Sequence, residues 1–148
     1  IAKGDRRFQY ATHVAEANVR ELERFLEECK ARGIHVIGFL PPFAHAIFEK
    51  MRSMPNEYGY MSEVPVRSKA VFDQFGYPLF DFSDLATVGA PDTETIDGFH
   101  GTEKAYLRMF LKMAHADSTV ARLLRPTDEL MARLNTTPGD HLVFGLHE

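Results

Sequence analysis

The sequence predicts an α/β fold in which parallel strands alternate with helices. Arg7–Arg32 carries apolar residues at a spacing of about 3.6, which is typical of a long amphipathic helix. Ile34–Leu40 follows it and is apolar on both faces, as expected of a buried parallel strand. Tyr77–Phe82 is a second strand candidate, separated from the first by helical segments. This alternation of helix and strand is the order that a parallel sheet requires.

The remaining segments are mostly helical in pattern. Apolar spacing, with Ser, Thr, Pro or Gly at the ends, predicts helices at Ala44–Arg52, Ser62–Gln74, Thr102–Ala114, Asp117–Leu124 and Thr127–Leu134. The polar, turn-rich stretch Ser83–Ile96 is predicted to be a loop. Two parallel strands alone make a poor sheet with an open edge. We expect a further strand from Leu142–Leu146, from a second copy that forms a homodimer through the sheet edge, or from a missing N-terminal half.

Length and charge narrow the class of protein. A chain of 148 residues suits a single domain, and we expect one domain over 1–148, with a core at about 8–115 and a helical C-terminal extension at 116–148. A net charge of −4 gives no basis for nucleic-acid binding, which needs a basic stripe. No run approaches the roughly 20 apolar residues of a membrane span, and no signal peptide is recognisable, so the compartment is left open. Because the first residue is Ile, we expect the chain to be part of a longer protein.

The residues that commonly bind metals are scattered. Cys29 is the single cysteine and lies on a helical pattern, so it is interpreted as a small core residue. The histidines do not form a His-Glu-x-x-His motif, and those considered for a metal site are His35, His45, His115 and His141. We therefore expect neither a metal nor a cofactor.

The segment from Ile96 to Tyr106 is the most informative part of the chain. Asp97 and His100 lie three residues apart at the end of a loop that follows a strand and leads into a helix. Active sites of open α/β folds lie at the carboxyl ends of the strands. Histidine can take a proton from a hydroxyl near neutral pH, and a carboxylate on its other ring nitrogen fixes the tautomer. The pair therefore indicates acid–base chemistry.

These residues carry a resemblance to a known family. Asp97-Gly98-Phe99-His100, followed by a helix, resembles the Asp-x-x-His block of the SGNH (GDSL-type) esterases and acyltransferases. The strand that ends at Pro41-Pro42 and the strand Leu79–Phe82 are similar to the later strands of that fold, so that the resemblance covers roughly 18 to 113. It implies a three-layer, flavodoxin-like α/β fold, of which this chain is a C-terminal portion.

The resemblance also implies a function. His100 is then the general base of a Ser-His-Asp triad, and Asp97 orients it. Within the superfamily the chain is most similar to the bacterial cell-envelope branch, whose members take part in O-acetylation or D-alanylation of surface polymers. The expected substrate is an acyl ester of a carbohydrate or envelope polymer.

The chain departs from this family at the nucleophile. It has no Gly-Asp-Ser block, since Gly4-Asp5 is followed by Arg6 and Gly139-Asp140 by His141. The five serines lie in helical or polar contexts, at Ser53, Ser62, Ser68, Ser83 and Ser118. A hydrolase of this type needs a serine to form an acyl-enzyme. We therefore expect the serine to come from a missing N-terminal segment and the chain alone to be inactive.

A second class of function is compatible with the same residues. The chain could be a non-catalytic α/β binding or assembly module. Asp97 would then be a turn residue and His100 would pack or cap at a helix start. Ser83 and Asp84, which follow a strand, are interpreted as caps of the next turn.

Overall fold

A computed structural model describes Gly4, residues 8–123 and residues 127–144. These residues are mostly helical and include a small two-stranded parallel sheet, so the general α/β class is confirmed. The chain divides into two compact units. The first contains Ile1–Leu40 and Phe48–Asp81, and the second contains Pro41–Ile47 and Phe82–Glu148.

The elements follow one another along the chain in a simple order. The first are α1 (Glu16–Ala31), β1 (Gly38–Leu40), α2 (His45–Arg52), α3 (Pro55–Tyr58), α4 (Tyr60–Phe75) and β2 (Leu79–Asp81). Two short 3₁₀ turns, Leu85–Val88 and Asp92–Glu94, precede α5 (Glu103–Ala116), α6 (Ser118–Leu123) and α7 (Thr127–Thr136).

The first unit packs α1 and α4 together beside the sheet. The strands β1 and β2 are parallel, with Gly38 opposite Leu79. The buried core consists of Leu26, Val71, Phe72 and Tyr77. Helix α4 ends at Gly76, whose left-handed φ of 74° lets its N–H return to the carbonyls of the last turn.

The second unit is built around α5, whose buried residues are spread over most of its circumference. Helices α6 and α7 pack against it. One hydrophobic cluster contains Leu107, Leu111, Leu130, Leu134 and Val143. Residues of α7, in the region predicted as an extension, therefore share a core with α5. A second cluster joins Leu85, Ala90 and Ala105.

Both strands are shorter than predicted. The N–H of Ile34 donates to the Cys29 carbonyl at 2.8 Å and closes the end of α1, so that it is not available to a sheet. The Ile34 carbonyl accepts a hydrogen bond from the Tyr77 hydroxyl at 2.7 Å. Only Gly38–Leu40 of the predicted strand pairs with β2.

Two helix boundaries also differ from the prediction. Helix α1 starts at Glu16, nine residues after the predicted start at Arg7, which lies outside the described residues. Helix α4 starts at Tyr60, two residues before the predicted start at Ser62, and it follows the short helix α3, which has Pro55 in its first turn, where proline is tolerated.

The prediction that Leu142–Leu146 completes the sheet is wrong for the described residues Leu142–Phe144, which are not a strand. The N–H groups of Val143 and Phe144 donate to a carboxylate oxygen of Glu103, at 3.0 and 3.2 Å, and are not available to a strand ladder. The end of the segment, 145–146, lies outside the described residues. The three-layer arrangement stays a prediction. Every helix in the described ranges is too short or too polar to cross a lipid bilayer.

The close approach of β1 to α4 leads to a prediction. A Cβ added to Gly38 would lie 2.4 Å from the Phe72 ring and 2.9 Å from Leu79. Gly38→Ala should lower the free energy of unfolding, measured with urea, by about 1–3 kcal/mol because of overpacking. The control is Gly33→Asn, since nothing lies within 4 Å of a Cβ at Gly33 and Asn tolerates its positive φ. Equal stability of Gly38→Ala and the unmodified protein would contradict this packing.

Candidate functional site

The segments that follow the two strands lie side by side in the second unit. The Phe43 N–H donates to the Ser83 carbonyl at 3.0 Å, and the Leu85 N–H donates to the Phe43 carbonyl at 3.1 Å. Phe43 and Asp84 thereby form an isolated parallel bridge. This pairing places the start of α2 beside the loop that leads toward α5.

The same loop supplies acceptors for the first N–H groups of α2. The Ala44 N–H donates to the Gly98 carbonyl at 2.9 Å. The N–H groups of His45 and Ala46 donate to the two carboxylate oxygens of Asp92, at 2.6 and 3.1 Å. The first N–H groups of a helix have no partner in their own helix. Here a carboxylate 46 and 47 residues away satisfies two of them, and negative charge is favourable at that helix end.

The structure brings the two predicted site residues, Asp97 and His100, into direct contact. His100 Nδ1 lies 2.8 Å from Asp97 Oδ2. The other carboxylate oxygen accepts the backbone N–H groups of Phe99, at 3.1 Å, and His100, at 2.9 Å. Gly98 turns the chain between them with a φ of 81°. The local spacing thus closes a turn and aligns the imidazole in one step.

The two ends of this turn are held together. The Ile96 N–H donates to the His100 carbonyl at 2.8 Å, and the Thr102 N–H donates to the Glu94 carbonyl at 3.0 Å. The Glu94 side chain, only 3% exposed, forms a two-pronged ion pair with Arg108 of α5, with both shorter N···O distances at 2.9 Å. A paired geometry of this kind fixes direction as well as distance. The loop is therefore anchored to α5 through Glu94.

Aromatic packing adds a further restraint to the loop. The Phe99 ring lies 5.1 Å from the Phe43 ring and 5.3 Å from the His100 ring, measured between centroids. Such edge and tilted contacts are favourable for aromatic pairs.

The electrostatics of the loop favour an ionised carboxylate. The backbone N–H of His100, and after it the His100 imidazole, lowers the pKa of Asp97 well below its ordinary value. The side chains of Asp97 and His100 are 45% and 47% exposed. Solvent and solutes therefore reach the ring, while the carboxylate stays charged at neutral pH.

A second histidine–carboxylate pair was not found from the sequence. His45 Nδ1 lies 3.1 Å from both carboxylate oxygens of Asp84. Asp84 also accepts the Ala86 N–H at 2.9 Å, so its predicted capping role is confirmed beside this additional contact. The partners are 39 residues apart, and no local spacing signals their contact.

The other residues singled out for chemistry are dispersed. Within residues 8–123 and 127–144, no group of three or more His, Cys, Asp or Glu side chains is placed to hold a metal ion. Cys29 is buried, as predicted for a core residue. Ser83 is only 9% exposed, and the hydroxyls of Ser53 and Ser62 donate to carbonyls three residues earlier.

Comparisons with known proteins assign no function to the site. No protein-family model, curated protein or solved structure matches the chain. The case for a function therefore depends on the contacts of Asp97 and His100.

The lowered pKa of Asp97 predicts how stability depends on pH. Folding lowers the pKa of the Asp97 carboxyl, so this group stabilises the protein at pH values above its pKa in the unfolded chain, about 3.9. The stabilisation is lost as the pH falls through the pKa of the folded protein. Asp97→Asn should lower the melting temperature at pH 5–7, and the difference should narrow below about pH 4.

The control for this experiment is Asp73→Asn. It removes an equal charge from an exposed helix pair with Lys69, 2.7 Å away, which contributes little to stability. A melting difference for Asp97→Asn that does not narrow in acid would contradict the assigned hydrogen bonds.

Proposed function

We propose that this chain carries the base and the orienting acid of an SGNH-type serine esterase or O-acyltransferase. The observation that supports this proposal is the 2.8 Å contact between His100 Nδ1 and Asp97 Oδ2, in a side-chain pair that is about half exposed. The substrate is an acyl ester, and the resemblance suggests an ester of a carbohydrate or envelope polymer.

The geometry assigns a role to each ring nitrogen. With Nδ1–H donated to Asp97, the lone pair for proton transfer is on Nε2 of His100. Nε2 takes the proton of a serine hydroxyl as its oxygen attacks the ester carbonyl, and then gives that proton to the departing alcohol. Water or an acceptor hydroxyl releases the acyl group by the same route in reverse. Asp97, ionised at neutral pH, stabilises the imidazolium at each stage.

The nucleophilic serine is proposed to come from a segment outside this sequence. Ser83 is only 9% exposed, and the hydroxyls of Ser53 and Ser62 donate to carbonyls three residues earlier. On this proposal, the chain as given binds or orients an ester but does not hydrolyse it.

The alternative is a non-catalytic binding or assembly module. The local roles of these serine hydroxyls favour it, and the Asp97 hydrogen bonds would then serve only the turn. In either case a further strand could extend the small sheet, since a two-stranded sheet is marginal by itself. We include a homodimer through the sheet edge in this proposal.

The proposed role of His100 as the base is tested with the variant His100→Ala in the full-length protein. Hydrolysis of an acetyl ester should fall by about 10³-fold or more, with an unchanged far-ultraviolet circular dichroism spectrum. Labelling of a serine by a fluorophosphonate should fall with it.

The matched control is His13→Ala. His13 is 78% exposed and pairs with Glu63 at 2.6 Å in the first unit, so it removes a histidine–carboxylate pair of the same kind. Unchanged turnover in His100→Ala would contradict the assignment of His100 as the base. Absence of any turnover or label in the unmodified protein would favour the binding module.

A further inference from the structure

An apolar groove of about 590 Å³ lies in the second unit, along α5 and the segment 141–144. We call it the α5 groove. Its apolar lining consists of Ile96, Tyr106, Leu107, Phe110, Leu142 and Phe144. The volume falls within the range of small-molecule sites, about 300–1,000 Å³.

The α5 groove adjoins the Asp97–His100 turn. Ile96, which lines the groove, directly precedes Asp97 and donates its N–H to the His100 carbonyl at 2.8 Å. On the other side of the turn, Gly101 and Thr102 also line the groove. Residues on both sides of the Asp97–His100 turn therefore line the groove.

Two polar groups along the groove, those of Thr102 and Glu103, form hydrogen bonds within the protein. The Thr102 hydroxyl donates to the Asp140 carbonyl at 3.0 Å. A carboxylate oxygen of Glu103 accepts the N–H groups of Val143 and Phe144, at 3.0 and 3.2 Å. A sugar in the groove would lose hydration with few polar partners to replace it. A hydrocarbon chain loses nothing of that kind.

The apolar side chains of the groove face solvent to an unusual degree. Ile96 is 72% exposed, and Phe110, Leu142 and Phe144 are 41%, 42% and 37% exposed. Tyr106 and Phe110 are four residues apart on α5, so they lie on one helix face and continue the surface away from the turn. The apolar surface thus runs from Ile96, which directly precedes Asp97, along this face of α5.

The far wall of the groove is held in place. Lys104 donates to the Thr137 carbonyl at 2.6 Å, and the Arg133 guanidinium lies 5.6 Å from the centre of the Phe144 ring. Val143 is buried in the cluster with α5 and α7. The groove is therefore formed before any ligand arrives, which reduces the ordering cost of binding.

We infer that the α5 groove binds the acyl chain of the ester substrate and selects an acyl group longer than acetyl. This inference rests on the proposed function, because it places the ester carbonyl beside His100 and the hydrocarbon tail along Tyr106 and Phe110. Burial of each methylene of the tail is favourable by the hydrophobic effect.

Binding is tested on the chain itself, with octanoate as the probe. Titration of octanoate into ¹⁵N-labelled protein should give saturable shifts of the Ile96, Tyr106 and Phe110 amides, whereas acetate should give none. Phe110→Ala should weaken octanoate binding by about fivefold or more, because it removes part of the apolar contact. Leu142→Asp, which places a charge in the groove, should abolish it.

The control for binding is Phe25→Ala. Phe25 is 57% exposed on α1 in the first unit, so this variant removes an exposed ring far along the chain from the groove, and octanoate affinity should not change. The inference would be overturned if octanoate caused no shifts in the unmodified protein. It would also be overturned if Phe110→Ala and Leu142→Asp bound octanoate as tightly as the unmodified protein does.

Selectivity is tested in the protein as the cell makes it, with straight-chain esters from acetyl to octanoyl. The kcat/KM should rise by about fourfold for each added methylene until the groove is filled, and this rise should flatten in Phe110→Ala. Suppose that turnover depends on His100 but not on chain length, and that octanoate does not bind. This result would overturn the acyl-binding role of the groove and leave the proposed function intact. Octanoate binding with unchanged turnover in His100→Ala overturns the proposed function, and with it the role of the groove in catalysis.

Discussion

Four consecutive backbone N–H groups at the start of α2 determine how the candidate site is assembled. These groups belong to Phe43 and Ala44, which precede α2, and to His45 and Ala46, the first residues of α2, whose N–H groups have no acceptor in their own helix. Their acceptors are the Ser83 carbonyl, the Gly98 carbonyl and the Asp92 carboxylate, all in the loop region before α5. Ala44 is buried, and an unpaired main-chain donor is costly when it leaves water, so these hydrogen bonds favour a loop that folds back onto the helix start. The second unit thereby gathers segments that are about 40 to 55 residues apart in the chain.

The orientation of His100 follows from two constraints that meet at Gly98. Its left-handed φ lets Asp97 reach the backbone and the ring of His100, and its carbonyl is held by the Ala44 N–H. Glycine suits this position through its left-handed conformation, and a Cβ there would also make a tight contact with the Ile47 side chain, at 3.1 Å. An ionised acceptor makes stronger hydrogen bonds than a neutral one, which explains how a half-exposed histidine is kept in one orientation. The groove beside it is supported separately, through Glu103 and Lys104.

The parts of the structure that depend on local spacing could be predicted from the sequence. Asp97 and His100 meet because three residues suffice to close the turn, and α5 follows from its apolar period. The contact of His45 with Asp84 could not be predicted, since it joins residues 39 apart through a tertiary pairing. The strands were overestimated because apolar pattern does not show that the Ile34 N–H is already used by α1. In the same way, hydropathy at 142–144 does not show that Glu103 takes the donors that a strand would need.

The proposed function requires that Asp97 holds His100 as a base with its lone pair on Nε2. Long-range ¹H–¹⁵N correlation of the imidazole nitrogens tests this most directly, at a pH where the ring is neutral. We expect the Nδ1–H tautomer for His100 in the unmodified protein, and a mixture of tautomers in Asp97→Asn. An Nε2–H tautomer in the unmodified protein, or the same mixture in both proteins, would show that the Asp97 carboxylate does not orient the ring.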